Sequence, residues 1–310
     1  MLDITTRQEN GARHVRPTAE ALAALVAGVG TPGNAFLVLH RVPDRPHHFL
    51  QIWRDDEAEA YTVELRDGGP DRHFRSLLAD PARVAQLLTA WARNADDADE
   101  RWRAELSWEP LSFEAPAAVP PLVLDEESRR ELEAHLRLLL VGGYVDREEL
   151  AEAAEDYLVD GDTQPVSSAQ ARELADRLWA ERLAEQAEWE GETDPERLSR
   201  AFEALDDAGI TARENFTCCR NCGHSEIAAE GAPDRRGFVY FHSQGTDSVA
   251  RGDGLRLLYG GFDGSAETTT AVGREVRSAL EEVGLPVDWN GSPERTIIVT
   301  PLDWRRRLVG

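Results

Sequence analysis

The stretch "AFLVLHRVPDRPHHFLQIWR", residues 35–54, decides the class of fold. It holds two strand-like runs, "AFLVLHR" and "HHFLQIWR", separated by the breaker "PDRP". A third run, "EAYTVELR" at 59–66, follows and stops at "DGGP". In it Tyr61, Val63 and Leu65 share one face, while Thr62, Glu64 and Arg66 share the other. Helices are expected on both flanks. Thr18 can cap one whose Leu22, Leu25, Val26 and Val29 follow helical spacing. Asp80 and Pro81 form an N-cap and first-turn pair ahead of Val84, Leu87, Leu88 and Trp91. Residues 1–112 therefore read as an α-β-β-β-α unit, closed by "WEPLSFE".

Outward from that unit, "APAAVPP" marks a stiff Pro/Ala linker, taken as 113–122. Residues 123–210 read as an acidic helical region. One helix buries Leu132, Leu136, Leu139 and Leu140 and ends at Gly142–Gly143; a second opens with the capping box Asp146–Glu149. Ser167 with Gln170 opens a third, and Thr193, Asp194 and Pro195 a fourth that stops at Gly209. Residues 211–310 return to mixed structure, packed with 123–210. "RGFVYFHS" and "GLRLLYG" read as strands, "TTTAVGREVRSALEEVG" as a helix, and "PVDW" with "RTIIV" as a hairpin, giving a small β-β-α-β-β sheet with a cysteine-rich loop. The fold class is α+β.

The charge narrows the partners. All 34 basic residues are arginine against 58 acids, a net charge of −24. Residues 116–210 alone carry 25 acids against 9 arginines. Such a field repels nucleic acid, whose recognition needs phosphate neutralisation, and suits a basic protein partner. Solvated helix faces are the plainer account of the same acids. No apolar run is long enough to span a bilayer, and the N-terminus shows no apolar signal region, so a cytoplasmic address is expected.

All three cysteines lie in "NFTCCRNCGHSE", residues 215–226. Cys219-x-x-Cys222-Gly223 has the form of half a zinc knuckle, in which a loop lets two thiolates grip one ion and glycine permits a tight turn behind the second sulfur. No second Cys-x-x-Cys exists. The remaining candidate ligands are Cys218, His242 at the end of "FVYFH", and, with less support, His224. The same residues permit a redox dithiol, a thiol nucleophile with His242 as base, or plain packing, and an odd number of thiols argues against a disulfide framework. Elsewhere, "YGGFDGSAETTT" joins a strand to a helix through glycines but lacks a nucleotide-binding pattern. His40, His47 and His48 cluster near one turn. "RRR" at 305–307 reads as a solvated tail, with Trp304 anchoring the terminus.

From about residue 123 to 308 the chain resembles a largely actinobacterial family known only as a domain of unknown function. The resemblance rests on "TDPERL", "GITARENFTCCRNCG", "GFVYFHSQGT", "AVGREV" and "DWRRR". Its core, Phe-Thr-Cys-Cys-x-x-Cys-Gly followed by Phe-His-x-Gln, fits Cys218, Cys219, Cys222, His242 and Gln244. His224 falls outside that core, and Gly245 stands where the pattern carries an acid. The first region is loosely similar to small α+β domains beside toxin–immunity systems. The expectation is a non-catalytic binding or regulatory protein, immunity-like, with a structural thiol or zinc site and a basic protein partner. The alternative is a thiol-dependent oxidoreductase or hydrolase using Cys219 or Cys222 with His242.

Overall fold

In the computed structural model of the chain the described residues are 1–55, 58–69, 71–94, 101–104, 106–112 and 118–309. The chain order opens with β1 (Ile4–Gln8), β2 (Arg13–Val15), α1 (Ala19–Gly28), β3 (Phe36–Arg41), β4 (His48–Trp53), β5 (Tyr61–Asp67) and β6 (His73–Leu78). Next come α2 (Pro81–Arg93), α3 (Arg101–Ala104), β7 (Glu109–Pro110), α4 (Glu126–Gly142), α5 (Arg147–Asp156), α6 (Ser168–Ala187) and α7 (Asp194–Asp207). The last third holds β8 (Ile210–Arg213), α8 (Arg220–Glu226), β9 (Gly237–Tyr240), α9 (Ser243–Ala250), β10 (Leu255–Gly261), α10 (Ala266–Glu282), β11 (Val287–Asp288) and β12 (Ile297–Val299). This is an α+β chain with helices in its middle, as the sequence indicates. Two compact units form: one from 1–128, 145–187 and 308–310, the other from 129–144 and 188–307.

In the first unit the three strand-like runs become the centre of a seven-stranded antiparallel sheet, ordered β2-β1-β3-β4-β5-β6-β7. Leu37 lies opposite Ile52 and Leu39 opposite Leu50. On the next strand Leu50 faces Leu65, and Ile52 faces Val63. These rows form one buried face that covers α1 and α2, since period-two alternation sends every second side chain to the same side. Thr18 Oγ1 accepts from Ala21 N at 3.0 Å, and Asp80 Oδ1 from Ala82 N at 2.9 Å, so both predicted caps form. The sheet is wider than the predicted meander. β1 pairs with β3 across some thirty residues, and β6 and β7 extend the far side. Of the linker read at 113–122, residues 113–117 lie outside the described residues.

The second unit carries a five-stranded sheet, β11-β12-β10-β9-β8. Its pairs are antiparallel except β8 with β9, which run parallel. Val272, Val276 and Leu280 of α10 and Leu198, Phe202 and Leu205 of α7 supply the core around Val239, Leu255 and Leu257. Of the tail arginines Arg305 is exposed, but Arg306 and Arg307 are half-buried, contrary to the sequence expectation. Arg306 bonds Glu214 at 2.9 Å and lies 3.9 Å from the Tyr144 ring centroid, and Arg307 bonds Glu196 at 2.6 Å. Their planar guanidinium groups match carboxylates supplied by distant segments, a pairing that local sequence does not show. Trp304 is buried, with Nε1 donating to Gly142 O at 3.3 Å.

Candidate functional site

The parallel pair β8–β9 builds the site. Parallel neighbours need a crossover connection, and here the crossover is the cysteine loop, α8 and the short 3-10 turn Ile227–Ala229. The loop leaves the carboxyl end of β8 and is held beside the carboxyl end of β9. Phe216 N donates to Phe241 O at 2.8 Å, Ser243 N to Thr217 O at 3.1 Å, and Ser243 Oγ to Cys218 O at 3.2 Å. Asn215 and Thr217 both take positive φ, 47° and 56°. Such strain in non-glycine residues persists only where the surroundings fix it. Thr246 Oγ1 donates to Asn215 Oδ1 at 2.8 Å and holds the first of these bends.

The bends deliver the thiols to one place. The three sulfurs of Cys218, Cys219 and Cys222 lie within 4.8 Å of one another, and no other such group of His, Cys or carboxylate ligand atoms occurs among the described residues. Cys218 and Cys222 sulfurs are 3.5 Å apart. A tetrahedral zinc with Zn–S bonds near 2.3 Å separates its sulfurs by about 3.8 Å, so small rotations of these side chains suffice to surround an ion. Cys218 is exposed and the other two are half-buried.

The three thiols are electrostatically unequal. Cys219 is the N-cap of α8. The amides of Cys222 and Asn221, and then the neighbouring thiols, hold its pKa below the usual thiol value. Its side chain closes no cap hydrogen bond of normal geometry. Cys222 moves the other way, to about 11, through its hydrogen bonds and charge interactions with Cys218 and Cys219. Three thiolates crowded together repel, and deprotonating all of them calls for a cation.

Neither histidine belongs to the convergent group. His242 is the N-cap of α9, and its Nδ1 accepts from Gly245 N at 3.2 Å. An accepting Nδ1 places the ring proton on Nε2. His224 has the opposite tautomer. Tyr240 donates its hydroxyl hydrogen to Arg220 O at 3.1 Å, so its oxygen accepts from His224 Nδ1 at 2.7 Å and His224 Nε2 keeps its lone pair. Burial holds both imidazoles below the ordinary histidine pKa, with Arg220 adding to the effect at His224. Gln244 O accepts from Ser248 Oγ at 3.0 Å within α9.

Gly223 serves a different end from the one its position suggests. It sits inside α8, and a Cβ there would lie 2.4 Å from Tyr240 Cε2, so the glycine admits a ring rather than a left-handed turn. The other sequence candidates disperse. His40 pairs with Asp44 at 3.1 Å and His48 Nδ1 with Pro46 O at 2.9 Å, while His47 lies 3.8 Å from Asp176. The glycine loop before α10 is filled by its own acid: Asp263 bonds Thr268 at 2.6 Å and Ser265 at 2.9 Å. Sequence reasoning missed the half-buried network of Tyr144, Glu214 and Arg306, in which Tyr144 donates to Glu214 at 2.6 Å.

No helix among the described residues is long and apolar enough to cross a membrane. Neither the curated proteins nor the solved structures include a match to this chain. One family model does match, over residues 125–308, which include all of the second unit together with 125–128, 145–187 and 308 of the first. Having matched well over half its length, the chain belongs to the domain-of-unknown-function family DUF6891.

Proposed function

We propose that this chain is a metal-responsive binding or regulatory protein whose Cys218, Cys219 and Cys222 thiolates hold one zinc ion. The observation that carries the reading is the convergence of three sulfurs within 4.8 Å on a loop braced by two strand ends. The fourth position falls to water or to an imidazole. Of the two histidines His224 already has the ligand-competent tautomer, whereas His242 would first have to give up its cap hydrogen bond. The net charge of −24 supports a basic protein as the partner and the cytoplasm, where thiols stay reduced, as the setting.

A thiol-dependent reaction is the second reading, favoured by one observation: Cys219 is held low while Cys222 is pushed to about 11, the split expected of an attacking and a resting thiol. One experiment separates the two. Protein purified without chelator is assayed for zinc and for alkylation rate at each cysteine. One zinc per chain, lost together with slow alkylation in Cys222→Ser, supports the metal site. Metal-free protein that also fails to take up added zinc, with one fast-alkylating thiol, sinks it in favour of thiol chemistry.

A further inference from the structure

Cys218 and Cys222 stand across the first turn of α8, with Cys218 just ahead of the N-cap Cys219 and Cys222 inside the helix. Their sulfurs are 3.5 Å apart. A tetrahedral zinc keeps its sulfurs about 3.8 Å apart, whereas a disulfide joins them at about 2.05 Å. The pair is therefore already inside the metal-bound spacing, and a closure of about 1.5 Å would bond it. The backbone on both sides is held. Cys218 O accepts from Ser243 Oγ at 3.2 Å and Thr217 O from Ser243 N at 3.1 Å, which ties the Cys218 segment to the start of α9. Gly223 N donates to Cys219 O at 3.0 Å and closes the turn that carries Cys222. Reacting groups positioned in this way need no diffusional encounter.

The other two pairings are poorer. Cys218 and Cys219 are chain neighbours, and bridging them closes a small ring around a peptide unit that resists leaving the planar trans form. Cys219 has its sulfur beside the amides of Asn221 and Cys222, and it is half-buried where Cys218 is exposed. An oxidant arriving from solvent meets Cys218 first.

We propose that Cys218 and Cys222 form a reversible disulfide under hydrogen peroxide, and that the bridge expels the zinc. The Cys218 thiolate attacks one peroxide oxygen. The O–O bond breaks, the sulfur becomes a sulfenic acid, and the departing hydroxide takes up the proton that Cys218 released and leaves as water. The Cys222 thiolate then attacks the sulfenic sulfur. The S–O bond breaks, and that oxygen leaves as a second water with the proton that Cys222 released. The two thiols lose the electron pair that the peroxide gains. A disulfide sulfur is no thiolate, so the ion keeps Cys219 alone of its three sulfur ligands. The expulsion rests on the three thiolates holding zinc, whereas the bridge does not.

The test treats the full chain with hydrogen peroxide, both metal-free and loaded with zinc, and then alkylates the thiols that remain. Trypsin cleaves after Arg213, Arg220 and Arg235, which puts Cys218 and Cys219 on one peptide and Cys222 on the next. The expected product is these two peptides joined, with the alkyl label on Cys219, and separated again by dithiothreitol. Cys219→Ser should bridge within about twofold of the parent rate, while Cys218→Ser should join the two peptides at least about tenfold more slowly. In the loaded chain a colorimetric chelator should read about one zinc freed per bridge formed. A label on Cys218 with the bridge at Cys219, sulfinic acid without a bridge, or Cys218→Ser bridging as fast as the parent overturns the inference. Zinc retained by the bridged chain overturns the expulsion. A chain that takes up no zinc sinks the metal site and the expulsion together, and the map of the metal-free chain still decides the bridge.

Discussion

Replacing Gly223 by alanine tests how the knuckle helix is seated. The new methyl would lie 2.4 Å from Tyr240 Cε2, 2.7 Å from Cζ and 2.8 Å from the hydroxyl oxygen. Carbon atoms settle near 3.5–4.0 Å, so ring and helix must part by about 1 Å. The ring cannot yield. Tyr240 is fully buried, with the Phe216 ring 5.8 Å away and the Phe238 ring 6.0 Å away, and its hydroxyl bonds both Arg220 and His224 of α8. The displacement therefore falls on the seven residues of α8, which carry Cys222 and follow directly on Cys219. Overpacking costs about 1–3 kcal/mol, and the better helix propensity of alanine returns up to about 1 kcal/mol. The expected net loss is about 1–2 kcal/mol in urea unfolding, with zinc affinity by chelator competition down at least about tenfold. Tyr240→Leu in the same chain removes the clashing ring atoms. The double variant should then recover about 1 kcal/mol relative to the sum of the single changes. A Gly223→Ala protein as stable as the parent and unaltered in zinc affinity would refute the reasoning, because the close approach of ring and helix would then be doing nothing.

Other consequences follow from the same contacts. Arg147→Met leaves the buried Asp44 and its neighbour Asp176 without their guanidinium, so unfolding by urea should show a loss of about 3 kcal/mol, with part restored when Asp44→Asn is added. Burial pushes the Asp44 carboxyl up, but His40 and Arg147 pull it further down, so its folded pKa lies below 3.8. That contribution to stability is therefore complete at neutral pH and disappears as pH falls through the folded value; thermal midpoints measured from pH 5 to pH 2 should drop less steeply in Asp44→Asn. Tyr144→Phe deletes the 2.6 Å bond to Glu214 and should cost about 1–3 kcal/mol in the same urea assay. Because Cys222 is protonated at neutral pH, with a pKa of about 11, zinc must displace its proton; apparent affinity should rise at least about tenfold between pH 6.5 and 7.5, and a flat profile would exclude Cys222 as a ligand.

Local chemistry made some of this legible in the sequence. Leu37, Leu39, Leu50, Ile52, Val63 and Leu65 alternate because one face of their sheet is buried, and that pattern survives without knowledge of neighbours. The caps Thr18, Asp80 and Asp146 announce themselves by residue type and the helix that follows. β1 does not, because "ITTRQ" is half polar and becomes a strand only by pairing with β3. The cysteines could be picked out as a candidate group by type and spacing alone. The proton positions on His224 and His242 could not, since Tyr240 and Gly245 decide them through hydrogen bonds. The arginine tail misled for the same reason: its partners Glu214 and Glu196 stand some ninety and more residues away.

The parallel pairing of β8 with β9 is the step from which the thiol site follows. Had these strands run antiparallel, the carboxyl end of β8 would face the amino end of β9, and the loop at 214–219 would lie beside Gly237 rather than beside Phe241–Ser243. The bonds from Phe216 to Phe241 and from Ser243 to Thr217 would then be lost together. With them would go the restraint on Asn215 and Thr217, whose positive φ values cost energy unless the surroundings impose them. The register of one short edge pair thus decides where three sulfurs stand. The same register brings the N-cap of α9 against the loop, so that the helix closing the site draws its first hydrogen bond from His242. An imidazole serving as that cap is committed to the fold through Nδ1, whereas His224 turns its Nδ1 to the Tyr240 hydroxyl instead.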